Sequence, residues 1–331
     1  MSSSKNPLTY VYSDVHLGVD KIATRYFNNE LKRIIKNQNN KQVFIQNLIL
    51  NGDTWDRLIR MDDFFDKQNT KMLLKKITSQ GTRIIPILGN HELSVSGEYD
   101  NEFSKRKNAF FKGYNWNFID NSSITQYVIL IKKKDDFTLN TYDSVDDIDP
   151  SIFTNSDRNT NYIICHGFQF QNNLELLARF WNFCLNGNRV RKTGCKKIWY
   201  NLVGGRWIRK TGEDLDDRIV DNIEEIDIDF IEIQDAYNEY TRNEAYFERL
   251  IEFCRINNLL NHIGNVVFGH THAPANGERI GVNENLMVYN TGSWIEYNDY
   301  FHLLEIDMLN GKANLLRSNK IYLRKNNFGH K

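Results

Sequence analysis

Cysteine is scarce in this chain, and the few cysteines follow no recognisable spacing. The 331 residues include four of them, Cys165, Cys184, Cys195 and Cys254, and none forms a Cys-x-x-Cys pair. Thiolate zinc sites and disulfide-rich secreted domains both depend on such spacings. The sequence therefore supports neither of these two classes.

The sequence also lacks an excess of either charge and any long apolar run. Lys and Arg total 42, as do Asp and Glu, so no overall field attracts the chain to nucleic acid or membrane. Residues 1–7 are polar and contain no apolar stretch of signal-peptide length. No run approaches the length of a membrane span. We expect a cytoplasmic protein without a transmembrane segment and without a stable nucleic-acid complex, and a peripheral membrane contact stays open.

Apolar residues are plentiful, at 40% of the chain, which is enough for a large core at this length. Short apolar runs bounded by Gly or Asn predict strands buried on both faces. These runs are Leu48–Leu50, Ile84–Leu88, Tyr162–Cys165 and Val266–Phe268. Two further strands are predicted, at Leu8–Ser13, where apolar and polar residues alternate, and at Ile124–Lys132. Helices are predicted at Thr24–Lys36, Asp62–Ser79 and Asn101–Lys112. Strands that alternate with helices indicate α/β packing.

Two other regions have a different pattern. The end of the chain predicts a run of antiparallel strands that would form the second sheet of a sandwich, at Arg279–Val282, Leu286–Asn290, Phe301–Ile306 and Ala313–Arg317. Residues 135–149 are acidic and show little periodicity, which predicts a surface loop. The segment Asn290–Trp294 predicts a plain β-turn with a packed Trp in the first place, and a turn that closes a functional site in the second.

Residues 168–262 interrupt the alternation of strands and polar motifs for about a domain's length. The first half of the segment mixes aromatic and basic residues, and the second half becomes acidic. Apolar residues recur in it at helical spacing. We predict a core formed by residues 1–167 and 263–331, with a helical insertion, or cap, at 168–262. Either the cap covers a functional site, or its two charge blocks pair on a solvated surface.

Five short polar motifs lie at the ends of apolar runs. They are Ser13-Asp14-Val15-His16, Asn51-Gly52-Asp53-Thr54-Trp55-Asp56, Gly89-Asn90-His91-Glu92, Cys165-His166-Gly167 and Gly269-His270-Thr271-His272. They offer carboxylate, imidazole and amide ligands from five parts of the chain, as a two-metal hydrolytic site requires. In extended backbone, residues i and i+2 point the same way, so Asp14 with His16, and His270 with His272, could each aim at one site.

The order and wording of these motifs resemble the calcineurin-like metallophosphoesterase superfamily, closest to its prokaryotic phosphodiesterase and UDP-diacylglucosamine pyrophosphatase-like branches. The resemblance extends from Asp14 to His272. It implies an α/β (α+β) fold, a four-layer αββα sandwich of two mixed sheets flanked by helices. It also implies hydrolysis of phosphoric esters or pyrophosphates with two divalent metal ions. Manganese ranks first among these, with iron, zinc or nickel as alternatives.

The same resemblance implies which residues bind the metals. The first metal would be held by Asp14, His16 and His272, the second by Asn90, His166 and His270, with Asp53 bridging the two. A hydroxide between the metals would attack phosphorus. His91 would stabilise the transition state or protonate the leaving group. Asp56 would either orient His91 or bond to backbone, and Arg57 would grip a substrate phosphate.

Several substrate classes are compatible with these motifs. A phosphodiester or pyrophosphate ranks first, in a phosphorylated small molecule, a nucleotide or a lipid-linked compound, because the cap could cover a large leaving group. A phosphomonoesterase, including a phosphoprotein phosphatase, ranks second; Arg57 favours it, and the double-His ending opposes it. A nuclease ranks third, because neutral charge and modest length argue against a duplex-binding surface. A metal-free scaffold for protein partners is a fourth hypothesis, opposed by the complete ligand set.

Overall fold

The computed structural model describes residues 6–17, 21–40, 43–54, 67–89, 118–134, 136–167, 244–280, 285–294 and 300–319. In chain order the elements are β1 (Pro7–Tyr12), α1 (Lys21–Asn39), β2 (Phe44–Asn51), α2 (Lys67–Ser79), β3 (Arg83–Ile87), β4 (Tyr127–Lys133), β5 (Asp136–Tyr142), β6 (Tyr162–Cys165), α3 (Glu244–Ile256), β7 (Asn265–Phe268), β8 (Ala275–Ile280), β9 (Leu286–Asn290), β10 (Tyr300–Asp307) and β11 (Ala313–Asn319). Among these described elements, no helix is both long and apolar enough to cross a membrane.

The strands form two mixed sheets. The first has the order β11-β10-β1-β2-β3. In this sheet β1, β2 and β3 are parallel to one another, and β10 is antiparallel to both of its neighbours, β1 and β11. The second has the order β5-β4-β6-β7-β9-β8, in which β6, β7 and β9 are parallel. The other strands of the second sheet are antiparallel to their neighbours. The parallel strands therefore form one side of the first sheet, with β3 at its edge, and the centre of the second sheet.

Alternation along the central strands divides the core into layers. On β1, Tyr10 and Tyr12 pack with the apolar faces of α1 and α2, whereas Val11 packs between the two sheets. On β6, Ile164 faces the first sheet, whereas Ile163 packs with α3. Successive side chains of a strand point to opposite faces, so each sheet has one face toward its helices and one toward the other sheet. The arrangement confirms the predicted αββα sandwich.

The predicted helices near residues 24 and 62 correspond to α1 and α2, although residues 62–66 lie outside the described ranges. The predicted helix Asn101–Lys112 lies wholly outside them. The prediction that all late strands belong to the second sheet is wrong. Only β8 and β9 join it, whereas β10 pairs with β1 and carries β11 into the first sheet. Leu304 and Ile306 face the inter-sheet core, and Phe301 and Leu303 face the helices, so β10 is buried on both faces.

The predicted surface loop at residues 135–149 is also wrong in its first half. Asp136–Tyr142 is strand β5, which forms a hairpin with β4 at one edge of the second sheet. Phe137 and Leu139 pack against the inter-sheet core, and Thr138 between them is polar, as an edge strand allows. Past residue 142, the chain continues in short 3₁₀ turns, beginning with Val145–Asp147.

The segment predicted as a cap, 168–262, is described only from residue 244 onward. Its last helix, α3, is part of the sandwich because Tyr246, Leu250 and Cys254 are fully buried against the second sheet. Residues 168–243 lie outside the described ranges. Any removal of the proposed cap must therefore spare α3.

Candidate metal centre

The described residues of the five polar motifs lie at the carboxyl ends of parallel strands. They follow or overlap the ends of β1, β2 and β3 in the first sheet and of β6 and β7 in the second. Ligand-binding residues of α/β sheets concentrate at this edge, because parallel strands end there together. The packing of one sheet on the other then brings the two sets of motifs face to face.

Six of the predicted ligands form two groups of three. One group is Asp14, His16 and His272, and the other is Asp53, His166 and His270. Within each group the candidate ligand atoms all lie within 4.8 Å of one another. All six side chains are buried except His272, which is partly exposed. Each group offers a mixture of carboxylate and imidazole, which suits a transition metal such as manganese, iron or zinc.

Asp53 lies between the two groups. Its Oδ2 atom is 3.3 Å from Nε2 of His166 in its own group and 4.0 Å from Nε2 of His16 in the other. A carboxylate oxygen in this position can contact ions in both groups. The geometry therefore fits the bridging role that the sequence suggested.

Both oxygens of the Asp14 carboxylate accept hydrogen bonds. Oδ2 accepts from the Ser13 hydroxyl and from the backbone N–H of His270, the latter at 3.0 Å. Oδ1 accepts from the same N–H at 3.2 Å, and it also faces the imidazoles, 3.4 Å from Nε2 of His272. Burial on its own raises the pKa of Asp14, but the imidazoles of His166 and His272 outweigh it and lower the pKa below its usual range. Asp14 is thus an ionised carboxylate with Oδ1 directed into the group.

The ring of His166 is oriented by a backbone carbonyl. Its Nδ1 lies 3.0 Å from the carbonyl oxygen of Asn51, which can only accept, so we place a proton on Nδ1. Nε2 is then left to face the Asp53 carboxylate. A carbonyl partner on the far nitrogen is typical of metal-binding histidines.

The donor set therefore fits metal ions. Two fully buried carboxylates, Asp14 and Asp53, would each cost several kcal/mol to desolvate without compensating positive charge. The Nε2 atoms of His16 and His272 face each other at 3.3 Å, an arrangement that a shared cation between them would satisfy. Both features are expected of a site built for two divalent cations.

The backbone at the site differs from the sequence expectation. Five of the six grouped residues have left-handed backbone conformations, with φ of 50° at Asp14, 49° at His16, 47° at Asp53, 69° at His270 and 62° at His272. The prediction that the i and i+2 pairs converge through extended backbone is therefore wrong, because they converge through tight left-handed turns. Such conformations are costly for residues with a Cβ and persist where surrounding contacts hold them, often at functional sites.

Close approach between the motifs depends on Gly52 and Gly269. A Cβ on Gly52 would lie 2.3 Å from Cγ and Nδ1 of the His166 ring. A Cβ on Gly269 would lie 1.8 Å from the Ser13 hydroxyl oxygen and 2.3 Å from Oδ2 of Asp14. These glycines let loops from different sheets touch directly.

Gly52→Ala should weaken metal binding at the second group while leaving the fold intact. The added Cβ forces His166 away from Asn51 and Asp53, so we expect an affinity loss of at least the roughly 10–100-fold typical of disturbed ligand orientation. Isothermal titration with Mn²⁺ measures it. Gly81→Ala is the matched control, because Gly81 also has positive φ, at 92°, but its Cβ would meet nothing within 4 Å. Equal affinities in both variants would contradict the packing argument.

Four predicted site residues, Asn90, His91, Asp56 and Arg57, lie outside the described residues. In contrast, Ser13 was not predicted as a site residue, and the segment 290–294 was predicted to close the site only as the second choice, yet both contact the centre. Ser13 bonds to Asp14, and the backbone N–H of Trp294 donates to the carbonyl oxygen of Asp14 at 3.1 Å. For Ser13, the available signal in the sequence was its position directly before Asp14.

One family model and several solved structures are similar to this chain. The family model of the calcineurin-like phosphoesterases matches residues 8–274. No curated protein matches the sequence. Among solved structures, an archaeal phosphodiesterase is 11% identical, with 94% of this chain and 99% of that chain covered and a TM-score of 0.34. A dimetal phosphatase from Danio rerio is 9% identical, with coverages of 96% and 97% and a TM-score of 0.41. A cold-active protein-tyrosine phosphatase from a psychrophilic Shewanella species is 12% identical, with coverages of 95% and 81% and a TM-score of 0.32. Because the TM-scores of these structures are low, the assignment of the chain to a family rests on the family model.

Proposed function

The chain belongs to the calcineurin-like phosphoesterases, enzymes that hydrolyse phosphoric esters, and from this premise we propose a binuclear hydrolase of phosphodiesters or pyrophosphates. One observation carries the proposal: two buried groups of three ligands lie side by side, with the Asp53 carboxylate between them. When bound, two divalent cations activate a water molecule and neutralise charge on the phosphoryl oxygens. We assign Asp14, His16 and His272 to one cation, His166, His270 and Asn90 to the other, and Asp53 to both. Manganese is our first choice.

The residues around the centre prepare it for this chemistry. Burial of the carboxylates keeps bulk water away, which strengthens every electrostatic contact with a bound phosphoryl group. Ser13 and the N–H of His270 fix the Asp14 carboxylate, and the Asn51 carbonyl fixes His166. The ligands are therefore oriented before an ion or a substrate arrives, so little reorganisation remains for the reaction itself.

The proposal gives His91, Asp56 and Arg57 separate tasks. His91 donates a proton to the leaving oxygen, since an imidazole can exchange a proton near neutral pH. Arg57 contacts the non-reacting phosphoryl oxygens, for which a guanidinium provides two parallel donors. Asp56 holds the His91 ring in the orientation needed for transfer. These roles come from the motif text around Gly52–Arg57 and Gly89–Glu92.

A substrate panel tests the reaction class. With Mn²⁺, we expect turnover of bis-p-nitrophenyl phosphate and of a nucleotide diphosphate-sugar to exceed turnover of p-nitrophenyl phosphate. The double-His ending Gly269–His272 and the large cap segment favour the diester class. A preference for the monoester, abolished by Arg57→Ala, would instead establish the phosphomonoesterase alternative. No turnover of any phosphoester by protein loaded with two metals would contradict both.

The cap is proposed to select the substrate. Gly167 directly follows His166, and the Tyr246 ring of α3 lies 6.2 Å from the His270 ring, so the described chain stops beside the centre at residue 167 and resumes near it with α3. Insertions attached at such places commonly act as lids. In the same panel, a Gly/Ser linker in place of residues 168–243 should keep aryl diester turnover within about tenfold, about 1.4 kcal/mol in barrier. Turnover of the larger pyrophosphate should collapse. Equal losses on both, in folded and metal-loaded protein, would assign the segment to the catalytic centre.

A further inference from the structure

Asn290 lies between the two ends of residues 269–274, the loop that carries His270 and His272 and that we call the histidine loop. It is the last residue of β9, which pairs with β7 on one side and β8 on the other. In these registers Asn290 is opposite Phe268, the last residue before the loop, and also opposite Ala275, the first residue after it. Its side chain is completely buried. A single amide therefore occupies the base of this loop.

The Asn290 amide forms hydrogen bonds to both the loop before it and the turn after it. Nδ2 donates to the carbonyl oxygen of Gly269 at 3.1 Å and to the Thr271 hydroxyl at 2.9 Å. Oδ1 accepts from the backbone N–H of Gly292 at 2.8 Å. Both N–H groups are thus committed to the histidine loop, and the oxygen is committed to the turn that follows β9.

The histidine loop needs such support because its conformation is strained. His270 and His272 have φ of 69° and 62°, a region that residues with a Cβ adopt at a cost. The strained turn lets His270 join the group of Asp53 while His272, two residues later, joins the group of Asp14. If the loop relaxed toward ordinary φ values, the two imidazoles could not reach both groups from this position.

The turn after Asn290 supports the centre from a second direction. The backbone N–H of Trp294 donates to the carbonyl oxygen of Asp14 at 3.1 Å, and the Ser293 hydroxyl donates to the same oxygen at 3.4 Å. Asp14 itself has φ of 50°. Because Asn290 fixes the start of this turn through Gly292, it links the histidine loop to the loop of Asp14.

We propose that Asn290 is a positioning residue for the metal centre. It acts on both metal positions, through the histidine loop and through Asp14. The inference rests on the proposed function, because it assumes that these residues bind metal ions. Asn290 would touch neither metal nor substrate. Its effect would be to hold the ligands in the binding geometry before the ions arrive, so its loss should appear as weaker metal affinity.

Asn290→Ala tests the proposal through metal binding in the absence of substrate. We expect the apparent affinity for Mn²⁺, measured by titration calorimetry and by electron paramagnetic resonance of free Mn²⁺, to fall about 10–100-fold, the usual cost of losing such a partner. Excess Mn²⁺ should restore turnover to near the wild-type value. Thr271→Val, which removes one acceptor and keeps the side-chain shape, should produce a smaller loss and provides the test if Asn290→Ala does not fold.

Asn161→Ala is the matched control. Asn161 is equally buried, and it also makes three hydrogen bonds, to the Ser156 hydroxyl, the His262 carbonyl and the Lys132 N–H. It precedes β6, at the end of the second sheet opposite His166. We expect this variant to lose thermal stability as Asn290→Ala does and to keep wild-type affinity for Mn²⁺.

Two outcomes overturn the inference alone. The first is wild-type Mn²⁺ affinity in Asn290→Ala and in Thr271→Val. The second is an equal affinity loss in Asn290→Ala and Asn161→Ala, which would make Asn290 a stabilising residue without a positioning role. Wild-type protein that binds fewer than two Mn²⁺ ions would overturn the proposed function itself, and the same titration shows this before any variant is compared.

Discussion

Replacing Asp53 with alanine should abolish turnover more completely than the loss of any other single ligand. The reason is its position: Oδ2 is 3.3 Å from Nε2 of His166 and 4.0 Å from Nε2 of His16, so one carboxylate serves both groups. We expect kcat/KM to fall by about 10³-fold or more, about 4 kcal/mol of transition-state stabilisation. Steady-state kinetics on an aryl diester, with metal content by elemental analysis, gives both readouts.

A buried carboxylate elsewhere in the core provides the control. Glu30 of α1 is almost fully buried and accepts hydrogen bonds from the Tyr12 hydroxyl at 2.8 Å and from Nε of Arg33 at 2.7 Å. Glu30→Gln should lower stability and leave two metals bound. If Asp53→Ala keeps both metals and wild-type turnover, the ligand assignment is wrong. If Glu30→Gln also loses the metals, the effect of Asp53→Ala reflects the core and not the site.

His91→Ala should retain both metals and lose roughly 10²–10⁴-fold in turnover, the usual contribution of general acid–base catalysis. In the proposed role, the His91 imidazole gives its proton to the leaving oxygen. This proton transfer contributes most to the rate when that oxygen is a poor leaving group. The loss should therefore be smaller on bis-p-nitrophenyl phosphate than on an alkyl diester. Kinetics on both substrates, with metal content measured in parallel, tests this role.

The leaving-group dependence separates the two possible roles of His91. A metal ligand would give a loss that is independent of the leaving group, together with the departure of about one metal per chain. His302 lies outside the motifs, on β10, and His302→Ala is the matched control for removing an imidazole. Loss of one metal in His91→Ala, with metal content unchanged in His302→Ala, would make His91 a ligand.

The sequence contained most of the candidate centre, because its side chains are chemically distinctive and each follows an apolar run. Asp14, His16, Asp53, His166, His270 and His272 were all identifiable in this way, and the structure brings them together. Their left-handed backbone could not be predicted. Residues with a Cβ avoid that region unless tertiary contacts hold them there, as the N–H of His270 is held by the Asp14 carboxylate.

Each of the two wrong fold predictions has a physical cause. β10 is apolar on both faces, which is compatible with a central position in either sheet, and its pairing with β1 joins residues about 300 positions apart. β5 has only Phe137, Leu139 and Tyr142 as hydrophobic residues, a weak signal that its acidic neighbours obscured. Its strand conformation depends on the adjacent β4, with which Lys133 and Asp136 close a tight hairpin.

Asn290 shows the same limitation at the level of a single residue. The text Asn290–Trp294 predicts a β-turn, whereas the structure has an Asx turn, in which the Asn290 side chain accepts the N–H of Gly292. The contacts that give the segment a proposed role, to Gly269, Thr271 and Asp14, are all tertiary. Local sequence determines that the chain turns here, whereas the packing of β9 between β7 and β8 determines what the turn supports.

The central claim is that two metal ions bind side by side between these loops. Crystals of Mn²⁺-loaded protein, with diffraction recorded at the manganese absorption edge, test it most directly. We expect two anomalous peaks about 3.5–4 Å apart, the usual spacing in two-metal hydrolases. One peak should lie against Asp14, His16 and His272, the other against His166 and His270, with the Asp53 carboxylate between them. A single peak, or two peaks away from these side chains, would contradict the claim.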